Sequence, residues 1–461
     1  MRASPAVPAF AVPAFAVALV GFLGGVFPFV GLLGLPAIAL ALRDLRRGEG
    51  ERRSPRRRLL VAAVALGCAS TLGAAGWALV RLEPPRGVTP GSCPLVHAHD
   101  GAKYRLEASL VAGSLYPWAE RRDLDRLTHM QPVLGEYRLR IQSALEETDH
   151  IDSLSILVID HPADIEVLPT GKGELVAVED ALSPVRAVSG SGASVLEALA
   201  AEDGRMLPFE AEVTGEGEPR QSWILDFPRP RTDHALLVLR GRSSRFAEEA
   251  FARYLATMGQ GMGPFMEWVT REDCPGSCRQ EVMDEETERL GLPLVITVLT
   301  PGPGSAQVHR VAPVGPAVVR SFALSIELPP GGDPVSIRLE ATPRFWEIDR
   351  VQLAPDPGGK LEPRILLPGE ASLVTASGQE DVLERIIESD RRRVALRAPS
   401  YVDARFRAIP PSPGLTRSSF VALRGYYQVL VGGRRLIDLS AVLAHRWGRT
   451  SLPRFAASLS P

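Results

Sequence analysis

The sequence predicts a mainly β protein behind an N-terminal two-helix transmembrane hairpin, and three observations carry that reading. Two long uncharged apolar runs open the chain. Short segments of alternating polarity fill most of the remaining sequence. The 42 glycines and 40 prolines fall largely between those segments, which argues against a mainly helical protein. Beyond the hairpin we expect β-sandwich, jelly-roll-like domains interrupted by a helical insertion.

The hairpin occupies 1–82. Ala6 to Leu42 contains no ionisable residue, and Leu59 to Val80 is a second apolar run. Each exceeds the roughly 20 helical residues that cross a hydrocarbon core. Pro28 and Pro36 are expected to kink the first, which we read as one crossing (6–42) paired with a second at 59–80. The loop RDLRRGEGERRSPRRR between them carries eight arginines against three acidic residues. Such loops stay cytoplasmic. Residues after about 80 are therefore expected outside the plasma (inner) membrane, with the lipid bilayer as the first partner. The first run is longer than a signal-peptide core and lacks a cleavage pattern. Ala65-Leu66-Gly67 before Cys68 looks like a lipidation site, but the apolar run continues past the cysteine, so a buried helix cysteine is the preferred reading. The GLPAIALAL end and basic loop resemble a two-helix membrane anchor of many bacterial envelope proteins.

With 461 residues the chain has room for several cores. Its 52 basic and 54 acidic residues leave a formal net charge of −2, which gives no electrostatic case for nucleic acid. A Pro/Gly-rich linker at 83–92 leads into a β-rich domain at 93–204, where YRLEASLVAG, EYRLRIQSAL and SLSILVID alternate as strands do. WAERRDLDRLTHMQP reads as a short helix or loop, and VLEALAAED as a brief helix. A second domain is expected at 205–357. Within it RFAEEAFARYLATMG has helical spacing and ends at Gly259, marking a helical insert over 244–291. Strands resume through FWEIDRVQL. From 361 to 461 the chain reads as β segments around one helix, DVLERIIESD, either completing the first domain's sheet or forming a third.

FWEIDRVQL resembles the last strand of galactose-binding-like jelly rolls, a resemblance that implies a sandwich and, in many members, glycan binding. Cys93-Pro94, Asp100-Gly101 with Tyr104, and Asp160-His161-Pro162 together resemble an uncharacterised group of bacterial envelope proteins. That resemblance implies an envelope location and assigns no activity.

Several side-chain groupings offer chemistry on paper. Cys93, His97, His99 and Asp100 are metal-ligand types, but no further ligand pair stands at zinc spacing, and Asp100-Gly101 suits a hairpin turn. Asp160 and His161 point to opposite faces of a strand, so a strand-ending turn is favoured over an acid–base couple. Asp123 and Asp125 lie among arginines, and Asp284-Glu285-Glu286 on a charged helix face, so neither group is read as catalytic. No G-x-S-x-G, H-E-x-x-H or P-loop pattern occurs. We therefore expect no cofactor and no enzymatic role. The expected function is binding or scaffolding by the outer β region, with envelope proteins or glycans as partners. The alternatives are a glycan-binding module using Trp346 and Arg344, and an envelope hydrolase using Asp160 or the Asp123/Asp125 pair. Cys274 and Cys278, in REDCPGSCRQE, lack the second pair of a zinc site and the C-x-x-C spacing of redox centres. Placed outside the membrane they predict a disulfide across a Pro-Gly turn.

Overall fold

The computed structural model describes residues 94–461 apart from 115–119, 144–146, 210–217, 260–285, 301–305, 430–437 and 460–461. The expected hairpin and linker, Cys93 and the Cys274/Cys278 pair lie outside the described residues. Among those residues no helix is long and apolar enough to cross a membrane. They form a mainly β structure, built as several antiparallel sheets.

The chain first lays down β1 (Leu95–His99), β2 (Tyr104–Ser109), β3 (Arg121–Arg126), β4 (Glu136–Gln142) and the long β5 (Glu147–His161). It leaves this first body through a hairpin, β6 (Glu166–Pro169) and β7 (Leu175–Val178). A second body comes next: β8 (Arg186–Ser189), helix α1 (Leu196–Leu199), β9 (Leu207–Pro208), β10 (Gln221–Phe227), β11 (His234–Ser243), helix α2 (Arg245–Thr257), β12 (Leu294–Val298), β13 (Gln307–Val311), β14 (Arg320–Glu327), β15 (Val335–Ala341) and β16 (Trp346–Pro355). The chain then returns to the first body with β17 (Arg364–Leu366), β18 (Glu370–Thr375), β19 (Gly378–Asp381), helix α3 (Leu383–Ile386), β20 (Val394–Leu396), β21 (Tyr401–Arg407) and β22 (Thr416–Val429). Helices α4 (Leu439–Arg446) and α5 (Leu452–Ser458) close it.

Pairing shows how the halves interlock. One sheet of the first body runs β19-β18-β21-β4-β1-β2, and the other runs β17-β5-β22-β3 with β20 also on β5. Strands from before and after the second body thus mix in both sheets, so β17 to β22 complete the first body. Burial along β4, β1 and β21 alternates strictly, and their inward residues, such as Leu139, Val96 and Phe406, share a core with Ile156 and Val158 of β5 and Val421 of β22. In the second body the sheets β13-β12-β15-β10-β8 and β14-β11-β16-β9 share another core, which joins Ile296, Ile337 and Leu225 to Leu239, Ile348 and Phe322. Helices α2, α4 and α5 add Tyr254, Val442 and Leu452 to it.

The β6–β7 hairpin joins the bodies. Its odd residues Val167 and Leu175 pack with Leu124, Leu157 and Phe420 on the outer face of the first body. Its even residues Leu168, Val176 and Val178 pack with Leu236, Val238 and Ala323 on the outer face of the second. A ribbon with water on one side would be apolar on one face only; here both faces are apolar because both are covered. At roughly 1.5–3 kcal/mol per buried aliphatic side chain, these five residues contribute on the order of 10 kcal/mol, an upper bound. Glu166 adds charge to the seam, 3.9 Å from Arg126 on one body and 3.6 Å from Arg350 on the other. Elsewhere the bodies touch at Gly315, where any Cβ would collide with the Ser109 side chain.

Four expectations are corrected by these elements. The segment around Asp123 and Asp125 is strand β3, not helix or loop, because it pairs with β22 from Arg121 to Arg126 and its charges find partners there. The boundary expected at 204 falls earlier, since β8 pairs with β10 in the second body. The closing segment carries two helices beyond the one expected; Asp438 and Ser451 cap them by accepting from the Ala441 and Arg454 amides. Glu286 is not on a solvated face: it is buried, bonded to Nε2 of the fully buried His445, whose Nδ1 lies 2.8 Å from the Tyr254 hydroxyl.

Candidate functional site

Most groupings singled out in the sequence resolve into structural fittings. Asp160 accepts from Arg417 Nε and Nη2 at 2.7 and 2.9 Å, from Arg364 at 2.9 Å, and from the Ser412 amide and hydroxyl at 3.0 and 2.8 Å. Its hydrogen bond to Arg417 holds it well below the usual carboxylate range, so it is an ion-pair hub and no general acid. His161 is engaged through both ring nitrogens, with the Ser418 hydroxyl and the Pro162 carbonyl, each at 2.8 Å. Asp100 closes the β1–β2 turn by accepting from the Ala102 and Lys103 amides and pairs with Arg105. Tyr104 and Tyr401 take the Arg140 guanidinium over their rings, at 4.4 and 4.0 Å.

His97 and His99 share a face of β1, as the alternation requires. Burial, with Arg140 nearby, lowers the pKa of His97, and His99 Nδ1 accepts from the Gly101 amide at 3.1 Å. Among the described residues no group of three or more His, Cys, Asp or Glu side chains is placed to hold a metal ion.

Trp346 is 0% exposed and donates its indole N–H to the Leu292 carbonyl at 2.8 Å. It is a core residue of the second body and cannot serve as a stacking platform, which corrects its assignment to a glycan face. Arg344 takes a left-handed turn conformation (φ 66°) and lies over the Phe246 ring at 3.7 Å.

Two pairs of carboxylates remain. Asp123 and Asp125 share a face of β3. Asp123 accepts from Arg320 of β14 at 2.6 and 3.2 Å and from the Val111 amide at 2.8 Å. Burial raises its pKa, but the Arg320 and Arg121 charges outweigh that and hold it at about 2. Asp125 sits 3.7 Å from Arg320, yet burial wins and pushes it up to about 7. The pair clamps the first body to the second through one arginine.

The other pair lies at the start of β5, upstream of the stretch in which a strand is legible. Glu147 and Asp149 alternate onto the same face as the core residue Ile151, before a bulge at Asp152 resets the phase. They are 1% and 0% exposed, and none of their four carboxyl oxygens has a hydrogen-bond partner among the described residues. Ser143, just after β4, is also fully buried; its hydroxyl meets no partner at full hydrogen-bond geometry, and the nearest acceptor is Asp149, whose pKa it draws down as a donor. Burial nevertheless raises both carboxyls above the ordinary range, and Glu147 also feels the negative charges of Asp149 and Glu248. Across the ladder Asp149 faces Tyr427.

Tyr427 and Glu248 in turn line a half-open cavity of ≈ 50 Å³ between the bodies, with Gly113, Ser243, Phe251 and Leu292. Ligand pockets run to roughly 300–1,000 Å³, while one water needs about 10–15 Å³ of such space. The cavity therefore fits an ion with a few waters, not an organic substrate. A larger hollow of ≈ 250 Å³ beside Arg229 is walled mainly by Pro329, Pro330, Gly331 and Gly332, which offer few directional groups.

No protein-family model matches the chain, and no curated protein matches it.

Proposed function

We propose that the chain is a membrane-anchored envelope protein, held in the plasma membrane by the hairpin at 1–82, whose outer β region works by binding or scaffolding and not by catalysis. The observation that carries this reading is the β6–β7 hairpin, apolar on both faces and buried on both. It fuses two β bodies into one stiff unit, and the Asp160 and Asp123 carboxylates that a hydrolase would need are committed to arginines of that framework. The kinship with bacterial envelope proteins is part of the same proposal. Asp100, Asp160 and His161 of that signature set turns and strand ends, so relatives would share a shape.

In this reading the second body is a jelly roll of the galactose-binding-like kind. The support is its strand order: β9 to β16 fall into β9-β16-β11-β14 and β10-β15-β12-β13, the arrangement of two nested Greek keys, with β8 added at one edge. The glycan-binding alternative loses Trp346 to the core.

Protease treatment of spheroplasts carrying the full chain should cut the region after residue 80 from outside. Cross-linking in intact envelopes followed by peptide mapping should then give recurrent links from the surfaces of both bodies to the same partner. Protection until the membrane is broken would overturn the location. Release of product from an envelope polymer by the pure protein would overturn the non-catalytic role.

A further inference from the structure

We propose that Glu147 and Asp149, with the Ser143 hydroxyl, form a binding site for a hard divalent cation of the Ca²⁺ class beside the cavity between the two β bodies. Four carboxyl oxygens and one hydroxyl are buried there without a hydrogen-bond partner among the described residues. Buried polar groups are otherwise satisfied in native proteins, and an exception of this size calls for a missing partner. A proton shared between the carboxyls would serve one oxygen of each, and the Ser143 hydroxyl could turn to a third, which still leaves one buried oxygen without a partner. A cation serves all five.

The chemistry of the set selects the class. Every donor is oxygen, which suits Ca²⁺ or Mg²⁺ and not the nitrogen and sulfur preference of zinc or copper. Ca²⁺ takes about 6–8 oxygens in loose geometry, so water would supply the remainder. The adjoining cavity of ≈ 50 Å³ has space for it. Mg²⁺ demands a stricter octahedron that a strand pair and a strand end are poorly arranged to give. The Glu248 carboxylate, on the first turn of α2 and lining the cavity, adds the negative potential that favours a cation. This inference does not depend on the scaffolding role, since it rests on the buried carboxylates of β5 and on the cavity lined by Tyr427, opposite Asp149, and by Glu248.

The test uses the full chain in detergent, stripped with EDTA and titrated with Ca²⁺, Mg²⁺ or Tb³⁺. We expect one Ca²⁺ per chain, a saturable rise in Tm with Ca²⁺, and a weaker one with Mg²⁺. Tb³⁺ emission should be sensitised by Tyr427, which lies opposite Asp149, and quenched by competing Ca²⁺. The E147Q/D149N variant should lose the Tm rise and the emission, while S143A should need more Ca²⁺ for the same shift. If Tm of the wild-type chain is the same in EDTA and in Ca²⁺, or if E147Q/D149N responds as the wild type does, the proposal is overturned. Should the double variant not fold, S143A with unaltered Ca²⁺ dependence overturns it equally.

Discussion

Asp-Leu-Asp on β3 and Glu-Thr-Asp on β5 are nearly the same three-residue pattern, and the fold treats them in opposite ways. Both place two carboxylates on one face of a strand where the two bodies meet; Asp125, Glu147 and Asp149 are buried and Asp123 nearly so. The β3 pair receives Arg320 from the other body, and one member stays ionised at about 2 while the other rises to about 7. The β5 pair receives no cation from among the described residues, and both members are driven up. The difference teaches that burial of a carboxylate pair says little until its partner is known. With an arginine it is a clamp; without one it is a site in want of a charge.

The largest effect should come from breaking the clamp. Arg320→Met leaves Asp123 with only the more distant Arg121, 3.7 Å away, to offset its charge and should cost about 3 kcal/mol in chemical denaturation. An unchanged midpoint would mean that Asp123 finds another partner. The opposite sign is expected on β5. In EDTA, Glu147→Met with Asp149→Leu removes two unpartnered carboxyls from the same kind of environment and should stabilise the chain by roughly 1–4 kcal/mol. Destabilisation in EDTA would show that the orphaned oxygens have protein partners after all.

The pH dependence sharpens the contrast within the clamp. Asp125 has a folded pKa raised from 3.8 to about 7, so its contribution is most favourable below about 4 and is lost as pH rises through about 7. Asp123 has a folded pKa lowered to about 2, so its contribution is present above about 4 and is lost as pH falls toward 2. Asp125→Asn should remove a slope of about 1.4 kcal/mol per pH unit between about pH 4 and 7 while leaving the acid limb in place. A slope undiminished by Asp125→Asn would assign its share of that window to another group, since Glu147 and Asp149, also raised by burial, contribute equally in both chains.

Much of the fold is legible because burial on one side of a sheet writes itself into the sequence with period two. β1, β4, β15 and β21 show it residue by residue. The helix α2 is legible for the matching reason, a 3.6-residue period capped by Ser244, which accepts from the Ala247 amide. β3 is not, since its charged residues are satisfied by partners remote in sequence. Glu147 and Asp149 escape a reading that starts the strand at Ser153, where the apolar alternation is plain. Extending the Leu154, Ile156 and Val158 alternation upstream would turn Thr148, His150 and Asp152 inward; only the bulge at Asp152, which no local signal announces, brings Glu147, Asp149 and Ile151 to the core face.

By itself the sequence determined the class of fold, the positions of most strands, the turn at Asp100-Gly101 and the strand end at Asp160-His161, because local periodicity and turn chemistry depend only on neighbours. It could not determine which strands pair, that the second body interrupts the first, or that EVLP and LVAV bury both faces as a wedge. Nor could it say which carboxylates meet Arg320 and which meet nothing. Those outcomes rest on contacts between residues tens to hundreds of positions apart, such as Asp123 with Arg320 or Asp149 with Tyr427. Only the tertiary structure brings such partners within the few ångströms over which hydrogen bonds and buried charges act.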